Sequence, residues 1–348
     1  MKLTYNCPVP NTFGLVVRAA CLLEYDSVQE LRALLSDDHF AAGLPLPVMH
    51  VGGGSNLLFS GDYPGTLLHS RIGFMEEGSA DADGWIRVRI GSGVVWDQFC
   101  AWAAYKGYWG PENLSQIPGE VGAAAVQNIG AYGREACQLI ESVECLDLRT
   151  KEEVTIPVAD CGYGYRESIF KGAWKGRYAV TAVTFRLSVT PRPELDYRNV
   201  RDAVIVRFGG DVGLSPVEIR EVIGDIRASK LPSPSEIGSA GSFFRNPYVT
   251  PAQLEEIKAI AVRDELGTVP NFPAEEGLFK VPAAWMIEQC GWKGYHEGNV
   301  AVYHKQPLVL INANGRALPQ ELIQLKNKII ASVRDRFGIT LVPEVEIV

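Results

Sequence analysis

Leu31, Leu34 and Leu35 recur at helical spacing behind Ser27 and Glu30, whose separation is that of a capping box, so a helix begins there. Trp96, Phe99, Cys100 and Ala103 share one face of a predicted helix over 95–106. Ser215 with Glu218, and Pro216 at the first helical position, start another helix that runs to about Lys230. Thr250, Pro251 and Gln253 cap a further one. A short apolar helix over 283–290 is ended by Gly291, and a long amphipathic helix spans 319–337. Strand patterns fall at 47–51, 85–90, 140–148, 153–158, 179–189, 300–303, 308–312 and 341–348, with a hairpin turn at 149–151. The first of these reads as a short buried strand. Helices and strands alternate along the chain, which predicts an α/β or α+β protein without internal repeats.

Several segments break this periodicity. Residues 110–133, GPENLSQIPGEVGAAAVQNIGAYG, combine five glycines and two prolines with little charge, and Asn113, Gln127 and Asn128 are interspersed. Glycine admits positive φ and lets a ligand approach the main chain, so this stretch offers backbone N–H groups at a nearly bare surface. Such a surface suits a phosphate or a flat heterocycle. Composition leaves a buried, tightly turned connection equally open. The predicted strand at 47–51 runs into GGGSNLL (52–58), where Leu57 stands at the last glycine of a Rossmann fingerprint, so that fingerprint is absent. Three glycines with Ser55 and Asn56 still suit a nest of donors, and a tight turn suits them equally. Residues 161–171, CGYGYRESIFK, and the proline-rich 191–200 read as loops, the second as an excursion or lid. LPSP at 231–234 reads as a domain boundary, followed by a second low-bulk stretch, GSAGSFFRNP (238–247).

Composition narrows the class. The chain has 348 residues, 47% hydrophobic and 21% charged, which is ordinary for a globular protein and long enough for two or three domains. Its apolar runs are far shorter than a membrane span, and no signal peptide is read at 1–14, so a cytosolic protein is expected. A net charge of −8 argues against general nucleic-acid binding, although a local cation cluster can still take a phosphorylated small molecule. The seven cysteines are widely spaced without a C-x-x-C pair, so reduced thiols are expected, with neither zinc site nor disulfide framework. The five histidines are scattered, no H-E-x-x-H occurs, and G-x-S-x-G is missing.

What remains for chemistry is a set of polar residues in or beside glycine- and proline-rich segments: Arg166, Lys230, Ser242, Asn246, Lys293 and Glu344. Taken singly, each has an ordinary structural role available. Arg166 suits an ion pair, Ser242 a turn cap, and Glu344 a solvated strand carboxylate.

Taken together, VGGGSNLL (51–58), WGPENLSQIPGEVGAAAVQNIGAYG (109–133), YGYRESIFK (163–171), GSFFRNP (241–247) and PEVEI (343–347), in this order, resemble the UDP-N-acetylenolpyruvoylglucosamine reductase (UDP-N-acetylmuramate dehydrogenase) family over essentially the whole chain. The form resembled is the one with an additional tyrosine-bearing loop, here Tyr197.

The resemblance implies an α+β flavoenzyme of peptidoglycan precursor synthesis. It implies a two-part FAD-binding fold of the vanillyl-alcohol-oxidase type plus a C-terminal α/β substrate-binding domain. Residues 1–70 with 339–348 and residues 71–230 would form the two FAD-binding subdomains, and 231–338 the substrate domain. FAD would be held non-covalently by Gly52, Gly53, Gly54, Ser55, Asn56, Gly119, Gly122, Ala123, Gln127, Asn128, Gly130, Ala131, Tyr132 and Arg166.

NADPH would be the co-substrate, and UDP-N-acetylglucosamine enolpyruvate the molecule reduced, with hydride arriving from flavin N5. Hydride addition builds an enolate on the substrate's carboxylate, which preorganised donors must stabilise. By resemblance Arg166 and Glu344 take that role and Ser242 donates the proton. Tyr165, Tyr197, Lys230, Asn246, Lys293 and Gln306 would bind substrate. Neither metal, nucleic acid nor membrane is implied, and a monomer is expected. Two positions depart from the pattern: Phe272 where relatives of this form can have a tyrosine, and Glu346 where an arginine is common.

Two other readings predict different behaviour. An oxygen-using flavin oxidase would reoxidise without the enolpyruvyl sugar, and neither His50 nor His69 has the context of a covalent flavin attachment. A non-catalytic nucleotide-sugar binder would be colourless, which the presence of Arg166, Ser242 and Glu344 argues against.

Overall fold

The computed structural model describes residues 1–197 and 200–348. The chain divides into two compact units. The first comprises 1–8, 18–53 and 63–227, and the second 9–17, 54–62 and 228–348.

In the first unit, Lys2–Pro8, Arg18–Tyr25, Tyr63–Ser70 and Val48–His50 lie side by side in that order. The first pair is antiparallel and the other two are parallel. Ala19, Cys21, Leu23 and Tyr25 alternate inward along the second strand, as a half-buried strand requires. No strand is predicted over 2–8, 18–25 or 63–70 from the sequence; along 18–25 the outward positions Ala20 and Leu22 are apolar too, so the inward alternation is not visible in the residue types. The segment expected as a buried strand at 47–51 is Val48–His50 at the sheet edge, where Val48 is exposed because only one neighbour covers it.

A five-stranded antiparallel sheet follows, in the order Glu153–Pro157, Ile140–Asp147, Tyr178–Ser188, Trp85–Gly91, Met75–Glu77. The predicted hairpin turn at 149–151 is present. The Asp147 carboxylate accepts from the amides of Arg149 and Thr150, and Lys151 takes φ +65°. Helix Trp96–Tyr105 buries the four predicted side chains together with Ala104. With Val88, Val121, Val143, Val183 and Phe185, the four form part of a large core cluster of this unit.

The low-bulk stretch 110–133 carries a 3-10 turn, Glu112–Leu114, and a helix, Val121–Gln127, neither of which has a periodic signal in the sequence. Its alanines are good helix formers, and Val121, Ala124 and Ala125 pack into the core. The excursion expected at 191–200 is irregular through Tyr197, and Arg198 and Asn199 lie outside the described residues. Val200 then begins a helix, Val200–Phe208, where the sequence predicts none. Apolar side chains occur all round it, Val200 and Val204 buried, Ile205 and Val206 exposed, so the sequence shows no stripe. Helix Pro216–Lys230 forms as predicted, with Ser215 and Glu218 in reciprocal capping bonds.

In the second unit, Gly238–Ser242, Val309–Asn312, Val300–Val302 and His296–Glu297 make an antiparallel sheet. Helix Pro319–Phe337 packs on its central strands and ends at Gly338, φ +71°. Thr250 caps helix Pro251–Arg263 through a full capping box. The strand expected at 341–348 shortens to Glu346–Ile347, paired in parallel with Leu57–Leu58. Pro343 has no N–H for a ladder, and it is left in an isolated bridge to Phe244. Gly54 is required where it stands: its φ is +64°, and a Cβ there would lie 2.0 Å from the Pro10 carbonyl oxygen.

Candidate active site

In the first unit the glycine-rich segments meet backbone to backbone. A Cβ built on Gly53 would come within 4.0 Å of the Gly119 Cα, and one on Gly52 within 3.0 Å of Glu120 Oε2 and 3.3 Å of Ala123 Cβ. Gly52, Gly53 and Gly119 are nevertheless partly open, and Ala123 is exposed. Gly122 is pressed the other way, its amide donating to the Ser92 carbonyl and its Cβ position 2.8 Å from the Ser92 side chain. The helix it belongs to is thus seated on the five-stranded sheet with its outer face bare of bulk.

Behind the same segments lies a buried pair that nothing in the sequence joins. His69 Nε2 and Glu120 Oε1 stand 2.8 Å apart, with Glu24 3.7 Å from the other ring nitrogen. Gln127 Oε1 accepts from Lys171 Nζ at 2.7 Å, while Gln127 Nε2 is buried with no partner among the described residues. An unmet buried amide donor beside exposed backbone suits the acceptor-rich rim and phosphates of a flavin dinucleotide. The residues fit the group.

Asn128 caps the helix at φ +46°, and its side chain is fully used inside the protein. Nδ2 donates to Glu135 Oε2 at 2.8 Å and to the Gly164 carbonyl at 2.9 Å, and Oδ1 accepts from the Cys137 amide at 3.0 Å. This ties the helix end to the segment that presents Arg166. There Gly164 and Glu167 exchange backbone hydrogen bonds across a two-residue turn, and Arg166 takes φ +60°. A non-glycine residue in that region signals a conformation enforced by its surroundings. The guanidinium lies over the Tyr165 ring at 5.1 Å, and Nη2 donates to the Gly130 carbonyl. A Cβ on Gly130 would stand 2.8 Å from Arg166 Nη1, so the absence of a side chain at Gly130 makes the room the guanidinium occupies. Ser168 supports the turn by donating to the Val126 carbonyl at 2.6 Å. The sequence reading gives no role to Ser168 or Lys171, although both stand in the 163–171 string.

One acidic group of this unit is unusual. Glu112 is buried, accepts from the Gly110 amide through Oε2, and leaves Oε1 unpartnered among the described residues. Burial pushes its carboxyl up to about 7.

In the second unit Ser242 ends strand Gly238–Ser242, just after Gly241 at φ +69°. The amide of Glu344 donates to the carbonyl of Phe243 at 2.8 Å, and the Arg245 amide to Val342 at 2.9 Å. Ser242 and Glu344, 102 positions apart, are therefore carried by two directly bonded backbones. Asn56 from the glycine-rich loop joins them, donating Nδ2 to the Glu344 carbonyl at 3.1 Å and accepting from the Glu346 amide at 3.0 Å.

Asn246 Oδ1 accepts from the Ala283 amide at 3.0 Å and so caps helix Ala283–Gln289. Lys293 pairs with Glu288 at 2.7 Å, and Gln306 closes the turn between Val300–Val302 and Val309–Asn312. The turns bearing Lys293 and Gln306 abut, Gly294 facing His304. Lys230 precedes Leu231, which packs against the Tyr303 and Val309 cluster. Lys293 and Gln306 thus stand on adjoining turns, while Asn246 sits at the start of helix Ala283–Gln289 and Lys230 at the end of helix Pro216–Lys230.

Set against known proteins, residues 19–155 match an FAD binding domain family, and 233–348 match the C-terminal domain family of UDP-N-acetylenolpyruvoylglucosamine reductase. A reductase of that name from Bacteroides fragilis is 47% identical over 348 residues, covering 100% of both chains. The chain belongs to the UDP-N-acetylenolpyruvoylglucosamine reductase family. A second member, from Porphyromonas gingivalis, is 42% identical over 97% of this chain and 96% of its own length. The crystal structure of the Thermus caldophilus reductase shares the fold, with a TM-score of 0.64 at 20% identity over 99% of this chain and 98% of that one. The expected α+β class, with an FAD-binding part and a C-terminal reductase domain, is borne out. As a member of this reductase family the chain is a flavin-dependent oxidoreductase. Among the described residues no helix is long and apolar enough to cross a membrane.

Proposed function

We propose that the chain reduces UDP-N-acetylglucosamine enolpyruvate to UDP-N-acetylmuramate, with NADPH as electron donor and non-covalent FAD as carrier, in peptidoglycan precursor synthesis. The observation that carries this reading is the 47% identity, end to end, with the Bacteroides fragilis reductase. FAD, when bound and reduced, supplies a hydride for the methylene carbon of the enol ether.

The chain's own residues do the rest. Gly52, Gly53, Gly54, Ser55, Asn56, Gly119, Gly122, Ala123, Gln127, Gly130, Ala131 and Tyr132 hold the cofactor, with Asn128 keeping the helix end in place. Arg166 supplies a permanent cation for the negative charge that builds on the substrate carboxylate, and Glu344 a second donor when it carries a proton. The Ser242 hydroxyl gives the proton to the carbon beside that carboxylate. A serine hydroxyl is a weak acid, so it must be re-supplied with a proton as it gives one up. The uridine diphosphate sugar is bound by Tyr165, Tyr197, Lys230, Asn246, Lys293 and Gln306. Two lysines for a diphosphate make electrostatic sense in an acidic protein. Phe272 contributes no hydroxyl there, and Glu346 places a carboxylate where a cation is common.

We assign the cofactor to 1–70 with 339–348 and to 71–230, and the substrate to 231–338, in a cytoplasmic monomer. The test is anaerobic. The purified protein should be yellow, bleach with NADPH, and regain its colour on addition of UDP-N-acetylglucosamine enolpyruvate. A bleached protein that stays bleached until air is admitted overturns the reading in favour of an oxidase.

A further inference from the structure

Glu120 stands between two residues whose backbones are bonded to 94–96. The Trp96 amide donates to the Gly119 carbonyl at 3.0 Å, and the Val121 amide to the Val94 carbonyl at 2.9 Å. The Glu120 side chain does not cap the helix that follows it. It turns instead to the parallel sheet, where His69 Nε2 lies 2.8 Å from Oε1. A carboxylate oxygen only accepts, so Nε2 carries the hydrogen and His69 is the donor. Both residues are buried.

His69 is in register with Glu24 on the neighbouring strand, whose carboxylate lies 3.7 Å from Nδ1. The two carboxylates are unequally provided for. Lys2 Nζ and Arg71 Nε each stand 3.8 Å from Glu24. Among the described residues Glu120 pairs with neither lysine nor arginine, so His69 is what holds it.

Glu120 Oε2 faces the glycine-rich loop. A Cβ built on Gly52 would stand 3.0 Å from it, and Gly52 is partly open to solvent. A buried carboxylate that loses its partner is costly, and water relieves it. Gly52 has no side chain to stop it, so a released charge turns towards the surface where 52–53 and 119–123 meet.

We propose that His69 is a positioning residue for the cofactor: it tethers the Glu120 carboxylate to the parallel sheet and keeps that charge off the surface that takes the phosphates of FAD. The proposal rests on the assignment of FAD to 52–53 and 119–123. Like charges brought together at a binding surface oppose association, so the tether acts on retention of FAD.

The test follows FAD released from the holoprotein on dilution, read by the fluorescence of the free flavin. His69→Leu removes the donor and leaves the carboxylate, so Kd for FAD should rise about tenfold or more. Adding Glu120→Gln to His69→Leu removes the charge as well, and Kd should return to within about threefold of the unaltered protein. A bond that matters only as a link between sheet and helix predicts no such rescue, since the double variant restores no link. His69→Leu that holds FAD as tightly as the unaltered protein, or a double variant as weak as the single one, overturns the proposal. Where His69→Leu folds too poorly to be loaded, Glu120→Asp keeps the charge one methylene short of His69. Its Kd should rise about tenfold while that of Glu120→Gln stays within about threefold, and equal values for the two overturn the tether. Ala123→Trp adds bulk to the exposed face of the helix and should abolish retention of FAD. Undiminished retention there overturns the assignment of FAD to this surface and the proposal with it, whereas failure of the His69 variants alone overturns only the tether.

Discussion

Asn56 donates from its side-chain amide to the carbonyl oxygen of Glu344 at 3.1 Å, across 288 positions of sequence. Its own carbonyl accepts from the Glu346 amide at 3.0 Å, so the asparagine bonds the chain on either side of Val345. Removing the donor in Asn56→Ala leaves the Glu344 carbonyl without it. We expect a loss of about 1 kcal/mol of stability in urea unfolding. Reoxidation by the enolpyruvyl sugar should slow about tenfold, as positioning effects do. The flavin content, read from absorbance before each run, separates loss of cofactor from loss of geometry.

Ser242→Ala should spare reduction by NADPH and slow reoxidation by UDP-N-acetylglucosamine enolpyruvate by about 10²–10⁴-fold, the range general acids contribute. Single-turnover absorbance under anaerobic conditions reads each half separately. Equal loss in both halves would remove the serine from proton transfer.

Gly130→Ala tests the seat of Arg166. The added methyl would stand 2.8 Å from the Arg166 guanidinium and 2.9 Å from the Arg134 carbonyl oxygen. A destabilisation of about 1–3 kcal/mol is expected, as for overpacking. Turnover should fall by about tenfold or more, the effect of a misplaced cation. Gly210→Ala, which meets nothing within 4 Å and needs no positive φ, is the control and should be neutral in both.

Glu112 and His50 make stability depend on pH with opposite signs. Glu112 is raised by burial from 4.5 to about 7, so the stability linked to its neutral form is complete below pH 4.5 and is lost as pH rises through 7. His50 is lowered by burial from 6.5 to about 4, so its linked stability is present above pH 6.5 and is lost as pH falls towards 4. The two oppose each other between these limits, and the comparison with Glu112→Gln isolates the first. Chemical denaturation should show Glu112→Gln gaining on the unaltered protein between about pH 5 and about pH 8, by up to roughly 3 kcal/mol. A constant difference across that range would mean that Glu112 is ionised throughout.

Local chemistry is legible in the chain. Ser215 with Glu218, Thr250 with Gln253, and the stripes of 96–105 and 319–337 specify their helices, because capping and amphipathic periodicity act within a few residues. The strings at 52–58, 109–133, 163–171, 241–247 and 343–347 likewise carry the family and its candidate residues, since glycine and amide patterns are fixed by what they must hold. The helix Val200–Phe208 left no such mark, because its burial on one side depends on Trp109 and Ile219, which are distant in sequence.

Pairings between distant segments were decided by the tertiary structure alone. Nothing near Glu344 announces Asn56, nothing near His69 announces Glu120, and the shortened strand Glu346–Ile347 exists only because Leu57–Leu58 lies beside it. Such bonds form after the backbone has closed long loops, and closure has no local sequence signature. The residue types in this chain named the reductase family. Which carbonyl each amide reaches, and therefore how firmly Arg166 and Glu344 are held, was settled by packing.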